Sequence, residues 1–199
     1  MSTHVCARCP KVLGNSCCEV KPHERLATLT WADVERVTEA TGLSSHAFTE
    51  WEWLDAAQTQ AWLDVHPAYV GYLGPAPRRL TLKVLNGACA LLKRDTGCTL
   101  SEAARPMACR LYPFDVSEGL LQVERFGDLV EARRSVETGG GHACLAVEEA
   151  QSARELGEKL SLTEPQRAAL AEQLRSEIAE HAKRERRERA KSTSRNRER

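Results

Sequence analysis

Eight cysteines are the residues of this sequence whose type and spacing point most clearly to chemistry. They comprise a C-x-x-C pair, an adjacent pair and four more widely spaced residues: Cys6, Cys9, Cys17, Cys18, Cys89, Cys98, Cys109 and Cys144. The polar start Met1-Ser2-Thr3-His4 lacks the apolar region of a signal peptide, so we expect a reducing cytosol, which disfavours four structural disulfides. The sequence therefore predicts metal ligation or thiol chemistry.

The C-x-x-C pair is typical of a metal site. Its spacing lets the sulfurs of Cys6 and Cys9 turn toward one zinc or iron ion. A redox pair requires a thioredoxin-like strand–helix context, which Pro10 and the polar loop after it do not offer. A zinc ribbon needs a second C-x-x-C pair, which is missing, as is the ferredoxin run. In an extended chain, the side chains of Cys17 and Cys18 point to opposite faces, so both can bind one centre only if the backbone turns there. Otherwise the two residues bind two different centres, or only one of them is a ligand.

Two arginines flank Cys109 in the segment Arg105-Pro106-Met107-Ala108-Cys109-Arg110. Guanidinium groups lower the pKa of a nearby thiol and offset the negative charge that several thiolates accumulate. We therefore expect Arg105 and Arg110 to be charge partners of the cysteine ligands. His142 is a candidate ligand beside Cys144, although a histidine next to glycine is more often a solvent-facing loop residue.

Taken together, these motifs resemble the YkgJ-like cysteine-cluster family over residues 5–147. The resemblance rests on Cys6-x-x-Cys9, Cys17-Cys18, Leu29-Thr30-x-x-Asp33-Val34, Asn86-Gly87-x-Cys89, Cys98 and Arg105-Pro106-x-x-Cys109-Arg110-x-x-Pro113-Phe114. Members are described as zinc- or iron-chelating domain proteins, and some carry the label Fe–S oxidoreductase. The resemblance implies a metal or iron–sulfur site built from all eight cysteines, and it supplies no reaction.

The number of thiols leaves the kind of centre open. Eight thiolates fill two tetrahedral zinc sites or two four-cysteine clusters, and one cluster with spare cysteines is the other arrangement. Structural zinc sites commonly form from compact segments, whereas these ligands come from the N-terminal segment and from as far along the chain as Cys144. We therefore prefer an iron–sulfur cluster to zinc as the cofactor.

The surrounding pattern predicts a small single α+β domain of short helices and β-hairpins around the metal centre, with a C-terminal helix. Thr30 as N-cap and Gly42 as stop predict a helix over 31–41. A second helix starts at Ser44 or Ser45 and continues through Phe48, Trp51 and Leu54 toward Leu63. Hairpins are predicted around Asn86-Gly87 and from Leu111 through a turn at 117–119 to Phe126.

The sequence divides into three parts. Residues 1–149 form the predicted cysteine-cluster domain, and residues 150–182 a helical extension whose stripe of Leu170, Leu174 and Ile178 packs on the body. The tail, 183–199, has nine Lys and Arg against three Glu, and its composition is typical of disorder.

The charge balance and the hydropathy of the sequence indicate which classes of partner the protein has. Lys and Arg number 28, as do Asp and Glu, so no global field selects nucleic acid or a membrane as partner. No segment approaches the roughly 20 apolar residues of a membrane span, so we expect a soluble, cytoplasmic protein. The predicted function is metal binding through an iron–sulfur cluster or zinc, with Fe–S oxidoreductase or metal-handling roles.

The alternative function is a zinc-stabilised interaction module whose basic tail contacts nucleic acid or an acidic partner. The sequence does not determine whether the protein is an enzyme, because it contains no Ser/His/Asp set, phosphate loop or H-E-x-x-H helix. Glu102 and Asp115 are the carboxylates to test as acid–base groups.

Overall fold

The computed structural model describes residues 5–13, 17–20, 26–74, 77–93, 95–114, 116–117, 120–121 and 144–197. Its helices are α1 (Val5–Leu13), α2 (Trp31–Thr41), α3 (Ser45–Phe48), α4 (Ala56–Val65), α5 (Met107–Leu111), α6 (Leu145–Glu149), α7 (Ala153–Lys159) and α8 (Glu164–Arg197), with 3-10 turns at Pro67–Tyr69 and Glu102–Ala104. Its strands are β1 (Thr49–Trp53), β2 (Arg78–Leu82), β3 (Val84–Leu85), β4 (Ala88–Cys89), β5 (Leu92–Lys93), β6 (Gly97–Cys98), β7 (Val116–Ser117) and β8 (Leu120–Leu121). The strands pair in four two-stranded antiparallel sheets, which gives a small α+β fold of short helices and small sheets with a long C-terminal helix.

Helix α2 begins and ends where the sequence predicts. The Thr30 hydroxyl accepts a hydrogen bond from the Asp33 backbone N–H, and the Asp33 carboxylate accepts one from the Thr30 N–H. These two bonds form a capping box, which satisfies N–H groups that a helix start leaves without partners. Gly42 ends the helix with φ +71°, a conformation that favours glycine, and its N–H donates to the Thr38 carbonyl. The predicted helix over 31–41 is confirmed.

The second predicted helix is wrong in its middle. Only Ser45–Phe48 is helical before strand β1 begins, and α4 then starts at a new capping box formed by Asp55 and Gln58. The reason is a long-range pairing: β1 runs antiparallel to β2, from Thr49 opposite Leu82 to Trp53 opposite Arg78. Local spacing suggested a helix, whereas pairing with a strand far along the chain decided the conformation.

The hairpin at Asn86-Gly87 is confirmed. It joins β3 to β4, and both turn residues have positive φ, 53° and 75°, as a type I′ turn requires. The second hairpin is shorter than predicted: β7 pairs with β8, whereas Leu111 belongs to α5. The rest of its predicted return strand, 122–126, lies outside the described residues.

Helix α8 is 34 residues long and packs against α2 and α5. Leu170, Leu174 and Ile178 are all buried, which confirms the predicted apolar stripe. The basic tail differs from the prediction, because α8 continues through it to Arg197. Arg184 pairs with Glu35 at 2.6 Å, and the carboxylate of Glu185 accepts from the Trp31 indole at 3.2 Å, so the first turn of the tail is part of the folded body.

Two groups of buried side chains form the interior. The C-terminal cluster joins α1, α4, α5 and the region from Cys144 to Ile178, and it includes Leu145, Leu156 and Tyr72. The sheet cluster joins α2 to strands β1, β2 and β4. Cysteines belong to both clusters: Cys6, Cys9 and Cys144 to the first, and Cys18, Cys89, Cys98 and Cys109 to the second.

Among the described helices, none is long and apolar enough to cross a lipid bilayer.

Candidate functional site

The eight cysteines come from six separate places in the fold. Helix α1 carries two, a turn carries the adjacent pair, β4, β6 and α5 carry one each, and the last is the N-cap of α6: Cys6 and Cys9, Cys17 and Cys18, Cys89, Cys98, Cys109, and Cys144. All eight are free thiols. Cys9, Cys89 and Cys144 are buried, and the other five are partly exposed.

Backbone hydrogen bonds hold the turn of Cys17 and Cys18 against the β3–β4 hairpin. The Cys89 N–H donates to the Cys18 carbonyl at 2.7 Å, and the Val20 N–H donates to the Gly87 carbonyl at 3.0 Å. Gly87 has positive φ, and a Cβ at this position would lie 3.8 Å from the Val20 carbonyl oxygen. The β3–β4 hairpin therefore also holds the segment of Cys17 and Cys18 in place through these two backbone hydrogen bonds.

Burial and mutual repulsion make the thiols of this group hard to ionise. Burial is the largest cause that raises the pKa of six of them, Cys6, Cys9, Cys89, Cys98, Cys109 and Cys144, and for Cys89 and Cys144 the pKa rises to about 12. For Cys17 the largest cause is its hydrogen bond to Cys18, followed by burial, and its pKa lies well above the ordinary value. These seven thiols are therefore neutral at pH 7.

Cys18 is the member that connects the set. A thiolate at Cys18 would raise the pKa of six other cysteines: Cys6, Cys9, Cys17, Cys89, Cys98 and Cys109. Cys144 joins through interactions with Cys6, Cys9 and Cys17. All eight thiols thus form one electrostatically linked group, and seven of them, all but Cys17, pack in or against one of the two hydrophobic clusters. We call this group the cysteine cluster.

Arg105 contacts the cysteine cluster directly, as the sequence suggested. Its guanidinium makes hydrogen bonds to the thiols of Cys6 and Cys98, and the residue is only 8 % exposed. Burial works against the charged guanidinium, but the two cysteines outweigh it and raise the pKa of Arg105. One positive charge is therefore fixed among the thiols, between helix α1 and strand β6.

Arg110 lies beside Met107 and charged side chains, whereas Arg105 contacts the cysteine cluster. Its Nη1 lies 3.5 Å from the Met107 sulfur, and its pKa is lowered by burial and then by the charge of Arg36, against the opposite effects of Glu102, Glu177 and Asp33. Helix α5 accordingly presents Cys109 to the cysteine cluster and Arg110 to the charged residues of α2 and α8. Glu102 is close enough to act on Arg110, while Asp115 and His142 lie outside the described residues.

Tyr112 is a neighbour of the cysteine cluster that the sequence did not single out. Burial is the largest cause that raises its pKa, and ionisation of Cys17, Cys144 or Cys9 would raise it further. The tyrosine follows Cys109 by three residues within the same motif, which is the signal that could have identified it. A neutral phenolic hydroxyl beside thiols can donate a hydrogen bond.

The donor set fits a thiophilic metal chemically. Metals bind the thiolate form of cysteine, and the positive charge of a bound ion removes the proton from a coordinating thiol. Zinc and iron–sulfur clusters both take cysteine sulfur as ligand. Within the described part of the chain, however, no three His, Cys, Asp or Glu side chains are already arranged to hold a metal ion. Ligation therefore requires the thiol side chains to rearrange from the positions described.

Comparison of the chain with protein-family models, with curated proteins and with solved structures finds no match.

Proposed function

We propose that this chain is a metal-binding protein whose cysteine cluster holds an iron–sulfur cluster or zinc. The observation that carries the proposal is that eight free thiols from six segments interact in one group. Cysteines that serve only as small hydrophobic residues are buried singly, without one another as partners. A site for a thiophilic metal is the use that accounts for the whole set.

Electrostatics supports the same proposal. Repulsion between neighbouring cysteines raises the pKa of several thiols, so the cluster repels the very thiolates that would ligate a metal. Arg105 offsets one negative charge, which is too little for several thiolates. A bound cation supplies the missing positive charge, and the free energy of ligation then stabilises the arrangement.

The place of the cysteine cluster in the fold gives the metal a structural effect as well. Helix α1 joins the body through the buried side chains of Val5 and Cys9 and through a partly exposed bidentate pair between Arg8 and Glu149, at 3.1 and 3.0 Å. Exposed ion pairs contribute little to stability. Ligation by Cys6 and Cys9 would tie α1 to the rest of the chain far more strongly, so part of the folding free energy would come from the metal.

An iron–sulfur cluster is the preferred occupant because its ligands are drawn from most of the length of the chain, whereas structural zinc commonly uses compact knuckles. We do not propose the nucleic-acid module. Basic side chains of the tail pair within the chain, as Arg184 does with Glu35 and Lys183 with Glu180. Their charge is thus partly neutralised before any partner binds.

Metal analysis of anaerobically purified protein tests the proposal. Iron, zinc and acid-labile sulfide are quantified per chain, and the visible absorption spectrum is recorded on the same sample. We expect iron with matching sulfide, or zinc without sulfide. Cys18→Ser removes the member that interacts with the most neighbours and should lose most of the metal.

Leu156→Ala is the control for lost stability. Leu156 is fully buried in the C-terminal cluster on α7, a helix that carries no cysteine. This variant should lower the free energy of unfolding by about 2–5 kcal/mol and keep its metal. Wild-type protein without bound iron or zinc, or a Cys18→Ser variant with a full complement, would contradict the proposed function.

A further inference from the structure

A single buried carboxylate links helix α2 to the segment that carries Cys109. Asp33 is completely buried, and its Oδ1 accepts a hydrogen bond from the Met107 backbone N–H at 2.8 Å. Its Oδ2 accepts from the Thr30 N–H at 2.8 Å and from the Thr30 hydroxyl at 3.0 Å. The same side chain therefore completes the capping box of α2 and reaches a residue 74 positions further along the chain.

Met107 is the first residue of α5, where a backbone N–H has no partner within the helix. The preceding residue, Pro106, has no side-chain group that can cap it. Asp33 supplies the missing acceptor from outside the helix. A buried carboxylate on a backbone N–H is a charge-assisted hydrogen bond, and losing it would leave the buried N–H unsatisfied.

The Asp33 carboxylate also bonds to Arg36, in addition to Thr30 and Met107. Arg36 donates to Asp33 Oδ1 and also pairs with Glu177 of α8. Glu177 Oε2 also lies 3.0 Å from the Thr30 hydroxyl, whose single proton is shared between Glu177 and Asp33 Oδ2. Because α2 and α8 both hold this group of side chains, Asp33 has little freedom to follow Met107 if α5 moves.

Met107 lies midway between the two residues of this segment that contact the cysteine cluster. Arg105 precedes it by two residues and bonds to Cys6 and Cys98, and Cys109 follows it by two residues. We propose that Asp33 is a positioning residue, which fixes the start of α5 so that Arg105 and Cys109 stay in place beside the other thiols. This inference rests on the proposed metal site for its consequence, while the positioning itself can be measured without metal binding.

The test uses full-length protein as purified and two variants. Asp33→Asn keeps the size of the side chain but offers one acceptor oxygen to groups that now use two. Thr30→Ala is the matched control, because it removes the hydroxyl from the capping box and keeps the bonds of Asp33 to the Thr30 N–H, Arg36 and the Met107 N–H. Alkylation of each cysteine by iodoacetamide is followed by mass spectrometry, and the rate at Cys109 is divided by the rate at Cys89.

We expect this ratio to rise severalfold in Asp33→Asn and to stay at the wild-type value in Thr30→Ala. Zinc affinity, measured by competition with a chromophoric chelator, should fall about 10- to 100-fold in Asp33→Asn, as is usual when a residue that orients a ligand is removed. An unchanged ratio in Asp33→Asn, or an equal rise in Thr30→Ala, would overturn the positioning role.

Hydrogen exchange in the wild-type protein decides the matter even if Asp33→Asn does not fold. The Met107 amide should exchange as slowly as amides inside α2, and rapid exchange would refute the bond to Asp33. If wild-type protein binds no zinc or iron, the proposed function fails, whereas the alkylation ratio and the Met107 exchange rate still report on Asp33.

Discussion

Protonation of His181 should weaken the docking of the C-terminal helix in mild acid. The side chain is 2 % exposed and lies between two aromatic rings. Its ring stacks on Tyr72, with centroids 4.1 Å apart and planes 9° from parallel, and on Trp31 at 6.0 Å and 20°. Its Nδ1 is buried and has no hydrogen-bond partner among the described residues.

The charged groups around His181 do not offset the effect of burial on its pKa. Burial is the largest cause that lowers its pKa to about 4, and Arg184 on the same helix and Arg78 on β2 lower it as well, while Glu185 opposes them. Tyr72, the other titratable side chain against the ring, has a pKa raised by burial and stays neutral in this range. In the unfolded chain the pKa of histidine is about 6.5.

The size of the effect follows from these two values. Between them the unfolded chain binds more protons than the folded protein, so the free energy of unfolding is undiminished above pH 6.5 and falls as the pH drops toward 4. With a folded pKa of about 4, His181 alone should remove about 2 kcal/mol of stability between pH 7 and pH 5.

Urea denaturation at pH 7 and pH 5, followed by circular dichroism, measures the loss. His181→Phe keeps an aromatic ring between Tyr72 and Trp31 but does not titrate, while every carboxylate and thiol is the same in both proteins. The difference between the two losses therefore isolates His181. If wild type and His181→Phe lose the same free energy of unfolding over this range, the burial argument is refuted.

Two further predictions concern the basic groups. Substituting Arg105 by Ala should lower zinc affinity about 10- to 100-fold in a chelator competition, because it removes a group that orients two thiols. Arg110→Ala should leave the zinc affinity unchanged. Equal losses in the two variants would contradict the different placement of the two arginines. Deleting 183–199 should lower the free energy of unfolding by about 1–3 kcal/mol, since it removes the hydrogen bonds that Glu185 makes to the body. A urea midpoint that this deletion leaves unchanged would disprove this account.

Local signals in the sequence predicted the elements that depend on local chemistry. The N-cap, the capping-box carboxylate and the glycine stop fixed both ends of α2, and the turn at Asn86-Gly87 fixed one hairpin. Strand β1 was missed because its conformation depends on β2, about 30 residues later, and spacing within β1 alone resembles a helix.

The basic tail shows the limit of composition as a guide. Its charge is typical of a disordered segment, yet α8 continues through it. Oppositely charged side chains three residues apart, such as Glu188 and Lys191, support the helix locally. Buried contacts of Glu185 and His181 with the body, which no composition reveals, fix its first part.

The residue types of the candidate site were visible in the sequence, but their arrangement was not. The eight cysteines and Arg105 were predicted as one site; the structure shows electrostatic interactions among them, and their use as metal ligands stays a prediction. Arg110 has the same charge and the same nearness to Cys109 in sequence, and only the turn of α5 directs it elsewhere. Asp33 was recognised as a cap, whereas its bond to Met107 depends on the tertiary fold.

X-ray absorption spectroscopy of the anaerobically purified protein tests the central claim most directly, because it reports the atoms bound to the metal. At the zinc edge we predict a nearest shell of sulfur at about 2.3 Å. At the iron edge we predict a sulfur shell with a neighbouring iron, as in a cluster. A nearest shell of nitrogen or oxygen at about 2.0–2.2 Å, or a protein that retains neither metal, would contradict ligation by the cysteine cluster.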